Sequence, residues 1–367
     1  MWNPREALIT VPRVIPTEPI GSIPRSQELL TAMHDRDAGT LSAADFEARQ
    51  DDAVRDTIRR FEEAGEQILT DGEQRKPSFA TYPIAGSPNL ASGGAVIPFA
   101  DGHTRQLPVL ARGPFRYQTH AASYLEGARR HTQRPLKQAV ISASALSLLY
   151  PADGIAGYDR DAFLADLVAE AERDIRGCLD AGAHAVQVDF TEGRLSLKLD
   201  PSGGLLKDFV ALNNRVLSRF SPAERARLGV HTCPGGDHDS THSADVDYAD
   251  LLPTLFQLQV GNFYVQLASE PDRERVARII AEHLQPDQRV FVGVTDPIDP
   301  RVETAEQVRD RVLEAARHIA PDRLGTTDDC GFSPFCDDTS TSRDTAFAKI
   351  RARVEGTAMA SRQLGLA

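Results

Sequence analysis

Apolar residues recur along this chain in short runs, and longer stretches with helical spacing lie between them. The runs are rich in β-branched residues and end at polar or glycine positions, as strands of a buried parallel sheet do. Eight such segments are predicted as strands: Arg13–Gly21, Ile68–Gly72, Gln138–Ala143, Ala185–Phe190, Gly229–Cys233, Asn262–Leu267, Arg289–Val294 and Leu324–Asp329. A helix pair follows the first of them. Its second member starts behind Ser42, a suitable N-cap, and runs to about Gln67. Asp159–Ala181 is the clearest amphipathic helix, with Phe163, Leu167, Ala171 and Ile175 at helical spacing. Further helical patterns cover roughly 205–220, 246–257, 271–284, 303–318 and 342–364.

Strands alternating with helices in this way predict an α/β fold, a closed (β/α)8 TIM barrel formed by residues 1–367 as a single domain. Residues 80–115 break the rhythm. They are rich in Gly, Pro and Ser, and we expect an insertion after the second strand, a hairpin and loop over one end of the barrel. An open dinucleotide-binding sheet is disfavoured, because no G-x-G-x-x-G follows the first strand.

Composition removes several classes of function. The net charge of −12 is spread along the chain, which argues against a nucleic-acid groove. No apolar run is long enough to span a membrane. The stretch Met1–Arg5 lacks the apolar core of a signal peptide. Four widely spaced cysteines suit a reducing cytoplasm, as free thiols or metal ligands.

In such barrels the active site lies at the C-terminal ends of the strands. Those ends are polar here: Ser22, Asp71 and Glu73, Ser142, Asp189, His231 with Cys233, Gln266, Asp296, and Asp328 to Cys330. Residues two apart on a strand point to one side, so His231 and Cys233 can aim at one ion. Imidazole and thiolate together suit zinc. Cys330, at the matching end of the eighth strand, completes a three-residue metal site. Cys178 sits on a helix among apolar neighbours and is expected to be a core filler. Cys336, His238 and His242 lie in polar loops and are weaker ligand candidates.

Asp189 and Asp296, and less directly Glu192 and Asp328, are candidate general acids. Ser22, Glu73, Glu192 and Gln266 are expected to contact substrate. Arg25, with Arg75 and Lys76 behind it, is expected to hold an anionic tail.

The ordered set Ile20-Gly-Ser-Ile-Pro-Arg25, a strand ending at Asp189, His231-x-Cys233 and Asp329-Cys-Gly331 resembles the catalytic domain of cobalamin-independent methionine synthases. Gly293-Val-Thr-Asp-Pro-Ile-Asp-Pro-Arg301 and Pro321-Asp-Arg-Leu324 extend the likeness over roughly 14–362. The resemblance implies a zinc-containing barrel that transfers an alkyl group to a thiol. Three positions depart from the family pattern. The family's glutamate ligand on the sixth strand is here Leu267, with Gln266 beside it. Its Asp-Glu-Pro after the fourth strand is here Asp189-Phe-Thr, followed by Glu192. Its histidine after the seventh strand is here Ile298. Asp71–Phe79 and Asp189–Glu192 are also similar to the epoxyalkane:coenzyme M transferases, which open an epoxide with a thiol.

Both relationships imply the same first step. An alkyl thiol has a pKa of about 8.5 and is mostly protonated at neutral pH. A metal with an open fourth position takes it as thiolate. The expected partners are therefore a small-molecule thiol and an alkyl donor. A non-catalytic zinc barrel is the alternative from another class.

Overall fold

The computed structural model describes residues 14–366. Arg13 of the first predicted strand and the Met1–Arg5 stretch lie outside the described residues. In chain order, α1 (Gln27–Asp37) and α2 (Ala43–Glu63) come first. The insertion carries β1 (Leu90–Ala91), β2 (Val96–Pro98), β3 (Thr104–Gln106) and β4 (Val109–Leu110). Then follow α3 (Ala122–Arg129), β5 (Lys137–Ile141), α4 (Ala143–Ser147), α5 (Arg160–Asp180) and β6 (Ala185–Asp189). Next are α6 (Glu192–Leu199), α7 (Gly204–Leu217), α8 (Pro222–Arg225), β7 (Leu228–Thr232), α9 (Tyr248–Leu255) and β8 (Asn262–Val265). The chain ends with α10 (Arg273–His283), β9 (Arg289–Thr295), α11 (Ala305–Ala316), β10 (Leu324–Asp328) and α12 (Arg343–Gln363).

Six of the predicted strands form one parallel sheet in the order β10-β9-β8-β7-β6-β5. The first two complete a TIM barrel as extended segments with little ladder of their own. Pro16 and Pro19 deprive the first segment of two N–H donors. Its pairing is therefore confined to a bridge between Thr17 and Thr326, with Glu18 N donating to Thr326 O at 3.0 Å and Thr326 N to Pro16 O at 2.9 Å. The second segment bridges Leu69 to Leu136. The first and second segments meet where Ile23 N donates to Gly72 O at 3.0 Å and Thr70 Oγ1 to Gly21 O at 3.0 Å. These bonds close the sheet on itself.

Arg353 of α12 locks the same seam from outside. Its Nε donates to Asp328 Oδ1 at 3.0 Å, and its other nitrogens reach Glu66 and Thr17. All of these groups except Thr17 are nearly inaccessible to solvent. Burying a guanidinium is tolerable here because its bonds are charge-assisted and shared between two carboxylates.

The predicted helices are present within a few residues of their expected ends, and Ser42 caps α2 through Asp45 N. The sequence pattern missed α3, α4, α6 and α8. Two of these matter for the site. Ser142 and Ala143, read as strand, are the N-cap and first residue of α4. Glu192 belongs to α6, which starts three residues after β6 ends.

The insertion is a nested pair of antiparallel ribbons, β1 with β4 and β2 with β3. At its stem Gly94 runs so close to the carbonyls of Leu107 and Pro108 that a Cβ would lie 2.4 and 2.3 Å from them. Only glycine permits that approach. The tip lies on the loops that follow β7 and β10, with Ala100 N donating to Thr241 O at 2.9 Å. Among the described residues, no helix is long and apolar enough to cross a membrane.

Candidate metal and thiol site

β7 delivers His231 and, one residue past its end, Cys233. β10 ends at Asp328, and Cys330 follows after Asp329. The three ligand atoms of His231, Cys233 and Cys330 lie within 4.8 Å of one another, and all three residues are buried. The two sulfurs are 2.8 Å apart. Both ring nitrogens of His231 are buried without a hydrogen-bond partner. A buried imidazole left unpaired is costly. One aimed at two thiols fits a thiophilic cation. Without a cation the Cys330 thiol is held far above its usual range, by its bond to Cys233 and by burial. A bound cation reverses that preference, because the ligand form is the thiolate.

Next to this cluster stand two carboxylates. Asp189 ends β6 directly opposite His231 in the strand register and accepts from Gln187 Nε2 at 2.8 Å. Burial pushes its carboxyl up to about 6, against the pull of His231. Glu73 bonds Lys76 Nζ through Oε1 at 3.0 Å, while its Oε2 is buried with no partner. Among the described residues, Glu73 is also one of three non-glycine residues with positive φ, at 57°. That conformation costs about 1 kcal/mol or more and persists only where surroundings enforce it.

A cavity of about 600 Å³, counting its open mouth, joins these groups. Ser22, Glu73, Asp189, His231 and Cys330 line its strand-end side. Phe79, Ile97, Phe99, Arg105 and Phe335 form the opposite wall, and Ile97, Phe99 and Arg105 come from the insertion. His242 also lines it, and burial pushes its imidazole down to about 4. A second cavity of about 710 Å³ reaches Cys330 and Gly235 from the other side and is lined by Gln266, Glu270, Asp296, Ile298 and Asp329. Cys330 therefore lines both chambers.

Four residues expected to contact substrate lie away from the first cavity. Arg25 is buried, and its guanidinium is taken by backbone carbonyls. It donates to Ser333 O at 2.7 Å, Glu73 O at 2.7 Å and Lys76 O at 3.0 Å. It thus shapes the Glu73 loop rather than facing the cavity. Lys76 is likewise held by Glu73 and by Ala139 O at 2.9 Å. Glu192 points into the first turn of α4, where Ser142 Oγ donates to it at 2.5 Å and Ser144 Oγ also binds it. The early start of α6 turns it there. Gln266 faces the second cavity, 2.6 Å from Ser269 Oγ and 3.3 Å from Arg194.

Glu192 makes a measurable prediction. Burial raises its carboxyl from 4.5 to about 7. A raised folded-state pKa means that the stability from the bound proton is full below 4.5 and lost as pH rises through 7. Wild type should therefore lose on the order of 3 kcal/mol from this group between pH 5 and 8. The variant Glu192→Gln should not, so its melting temperature should gain on wild type at pH 8 relative to pH 5. An equal difference at both pH values would refute this.

Two structural residues were not legible in the sequence. Asp329 accepts from the backbone N–H groups of Leu267, Ala268 and Ser269, each at 2.8 Å, and from Ser269 Oγ at 2.7 Å. It turns the chain sharply after β8 and sends the Leu267 side chain into the apolar core. No ligand comes from that strand among the described residues, and the cluster stays at three. Arg194 is buried on α6 and donates to Val246 O and Ala244 O, and at 2.8 Å to Glu270, fixing the loop beyond Cys233. Both residues act by reaching backbone that is remote in sequence, so no local spacing announces them. Cys178 is buried in the core, as expected, and Cys336 is partly exposed away from the three ligands. His238 lies at the surface beside Asp237 and Asp338.

Comparison with known proteins agrees with this geometry. The family profile described as "Cobalamin-independent synthase, Catalytic domain" matches residues 15–355. A methionine synthase of Saccharolobus solfataricus is 21% identical over 361 residues, covering 96% of each chain. One of Pyrococcus horikoshii is 21% identical, covering 96% of this chain and 94% of its own. A B12-independent methionine synthase structure from Shewanella sp. W3-18-1, in complex with selenomethionine, superposes with a TM-score of 0.76 at 18% identity, over 96% of this chain and 100% of that one. A putative vitamin-B12 independent methionine synthase from Listeria monocytogenes gives 0.68 at 20% identity, over 94% and 98%. With a profile match across nearly the whole barrel and three candidate thiophilic ligands at its mouth, the chain belongs to the cobalamin-independent methionine synthase family and is an enzyme of its methyltransferase class.

Proposed function

We propose that the enzyme methylates the thiol of a small amino acid of the homocysteine type, with zinc held by His231, Cys233 and Cys330. The observation that carries this reading is the charge beside the metal cluster. Glu73 and Asp189 share the cavity with His231 and Cys330; Lys76 is the ammonium paired with Glu73 among the described residues, and Arg105 on the opposite wall is matched by Asp237 and Asp337. The pair of carboxylates outweighs that single cation, so the chamber has room for one more positive charge. An α-ammonium a few bonds from a thiol supplies it. The unpartnered Glu73 Oε2 is the natural acceptor.

When bound, the zinc would serve as a Lewis acid that favours the thiolate form of the substrate. The chain's own residues do the rest. Glu73 and Asp189 fix the ammonium end and so aim the sulfur at Cys330. The aromatic wall excludes water. As the new sulfur–methyl bond forms, the donor's bond to carbon breaks, and its leaving atom keeps the electron pair; where that atom is an amine nitrogen, as in methyl-folate, it needs a proton. Asp296, on the second chamber and pushed upward by burial, is the carboxyl assigned to supply it. The solved Shewanella relative in complex with selenomethionine supports an amino-acid ligand in such a barrel. A reducing compartment such as the cytoplasm suits the ligand pair, which must stay unoxidised.

An epoxide-opening enzyme for a sulfonated thiol is disfavoured by the same charges. A sulfonate would meet Glu73 and Asp189, and the cations expected for it, Arg25 and Lys76, are already bound. The test is a product assay with the metal-loaded enzyme. Homocysteine would be offered with methyl-folate or methylcobalamin, and 2-mercaptoethanesulfonate with a short epoxide. We expect methionine from the first set. A thioether from the sulfonated thiol alone would overturn the reading.

A further inference from the structure

The tip of the insertion is held over the cavity almost wholly by polar contacts. From Val96 to Gln106 only Phe99 is buried. Phe99 stacks on His103 with ring centres 4.3 Å apart and meets His242 edge-on at 5.6 Å. The main tie is Arg105. Its Nε and Nη2 bind both oxygens of Asp237, at 2.5 and 3.0 Å. Its Nη1 and Nη2 bind both oxygens of Asp337, each at 2.9 Å. The guanidinium also lies over the Phe335 ring, 4.2 Å from its centre. Asp237 belongs to the loop after Cys233, and Asp337 to the loop after Cys330. One side chain of the insertion therefore bolts it to both loops that carry the cysteine ligands.

The chemistry of that bolt is specific. A planar guanidinium can grip two carboxylates at once through paired N–H groups, and an ammonium cannot. Asp237 has no accessible side-chain surface, so it depends on this partner. His103 Nε2 lies 3.1 Å from Asp237 and its Nδ1 2.6 Å from Asp101. Removing Arg105 would leave Asp237 and Asp337 together with too little positive charge. A ribbon with one buried apolar residue and mostly exposed hydrogen bonds belongs to the low-stability end of a fold, where lids are found. Its stem crosses at Gly94 against Leu107 and Pro108, between the two ribbons.

We propose that residues 95–106 form a lid over the reaction cavity, that Arg105 is its latch, and that the closed lid sets the size of reactant admitted to the sulfur through this cavity. Arg105 is thus a positioning residue, and Phe99 and Ile97 are the surfaces met by a reactant that enters from this side. The proposal takes the cavity as the reaction chamber, as proposed above.

The test measures size selection directly and needs no substrate. Full-length, metal-loaded protein is treated with iodoacetamide or with a bulky N-aryl iodoacetamide, and alkylation of Cys330 is followed by peptide mass spectrometry. In wild type the closed lid should leave the bulky reagent the second chamber alone, and it should label more slowly than the small one. Arg105→Ala should raise the bulky-to-small rate ratio about tenfold, as expected when the open population rises by that factor. Arg105→Lys should rescue only part of the effect. Asp337→Asn, which keeps the shape and weakens one half of the grip, serves if Arg105→Ala does not fold. A ratio unchanged in both variants, including no labelling by either reagent, overturns the proposal. So does an equal rise for both reagents. Because no thiol substrate is used, failure of the homocysteine reading would leave this result intact, and the reverse also holds.

Discussion

Replacing Cys330 by serine is expected to abolish metal retention and to lower the methyl-transfer rate on the order of a thousandfold or more. A serine hydroxyl is a poor, hard ligand and stays protonated where a thiol would ionise. The loss should exceed the ten- to hundredfold typical of groups that only support a ligand, because a donor atom itself is removed. Cys233→Ser should behave alike. The unpartnered imidazole of His231 would be left with one thiol, which cannot organise a soft site. Cys336→Ser is the matched control, since it lies outside the cluster. Elemental analysis should find about one zinc per chain in wild type and in the control, and little in the two ligand variants. A Cys330→Ser protein that keeps both its zinc and its rate would remove the centre from the mechanism.

Glu73→Gln should raise KM for homocysteine roughly 30- to 100-fold while moving kcat much less. That is about 2 to 3 kcal/mol, the usual worth of a buried hydrogen bond to a charged partner. The variant also leaves Lys76 Nζ without its carboxylate, 3.0 Å away in wild type, which repels a second ammonium. The discriminating substrate is 4-mercaptobutanoate, homocysteine without the amine. Wild type should use it poorly. The variant should use it no worse than wild type does, so the amine preference collapses. If Glu73→Gln cut both substrates equally, Glu73 would be a structural residue and the amino-acid assignment would fall with it.

Each barrel element shows how far residue patterns reach. β6 and β7 are buried along their full length, and their apolar runs are unmistakable. The first two segments of the barrel contribute position more than ladder, because prolines and backbone bends restrict their pairing to single bridges. Their apolar pattern was still readable, since burial and not hydrogen bonding sets it. The short helices α4 and α6 were missed because they hold too few residues to show a period. That omission misplaced Glu192, which a helix start turns away from the cavity.

The candidate metal ligands and the fate of the cations mark the boundary between the two kinds of information. The chemistry of His231, Cys233 and Cys330 was legible in the chain, because strand periodicity alone puts His231 and Cys233 on one side and barrel topology brings a strand end opposite. The same holds for Asp189 as a strand-end carboxylate. What Arg25, Lys76, Asp329 and Arg105 do was settled only by tertiary structure. A charged side chain is defined by what neutralises it, and here the partners are distant in sequence: Ser333 for Arg25, the Leu267–Ser269 backbone for Asp329, and Asp237 and Asp337 for Arg105. The sequence by itself determined which atoms can bind a soft cation. The folded chain decided which charges remain free beside it, because long side chains choose among remote partners by geometry, and no local pattern records that choice.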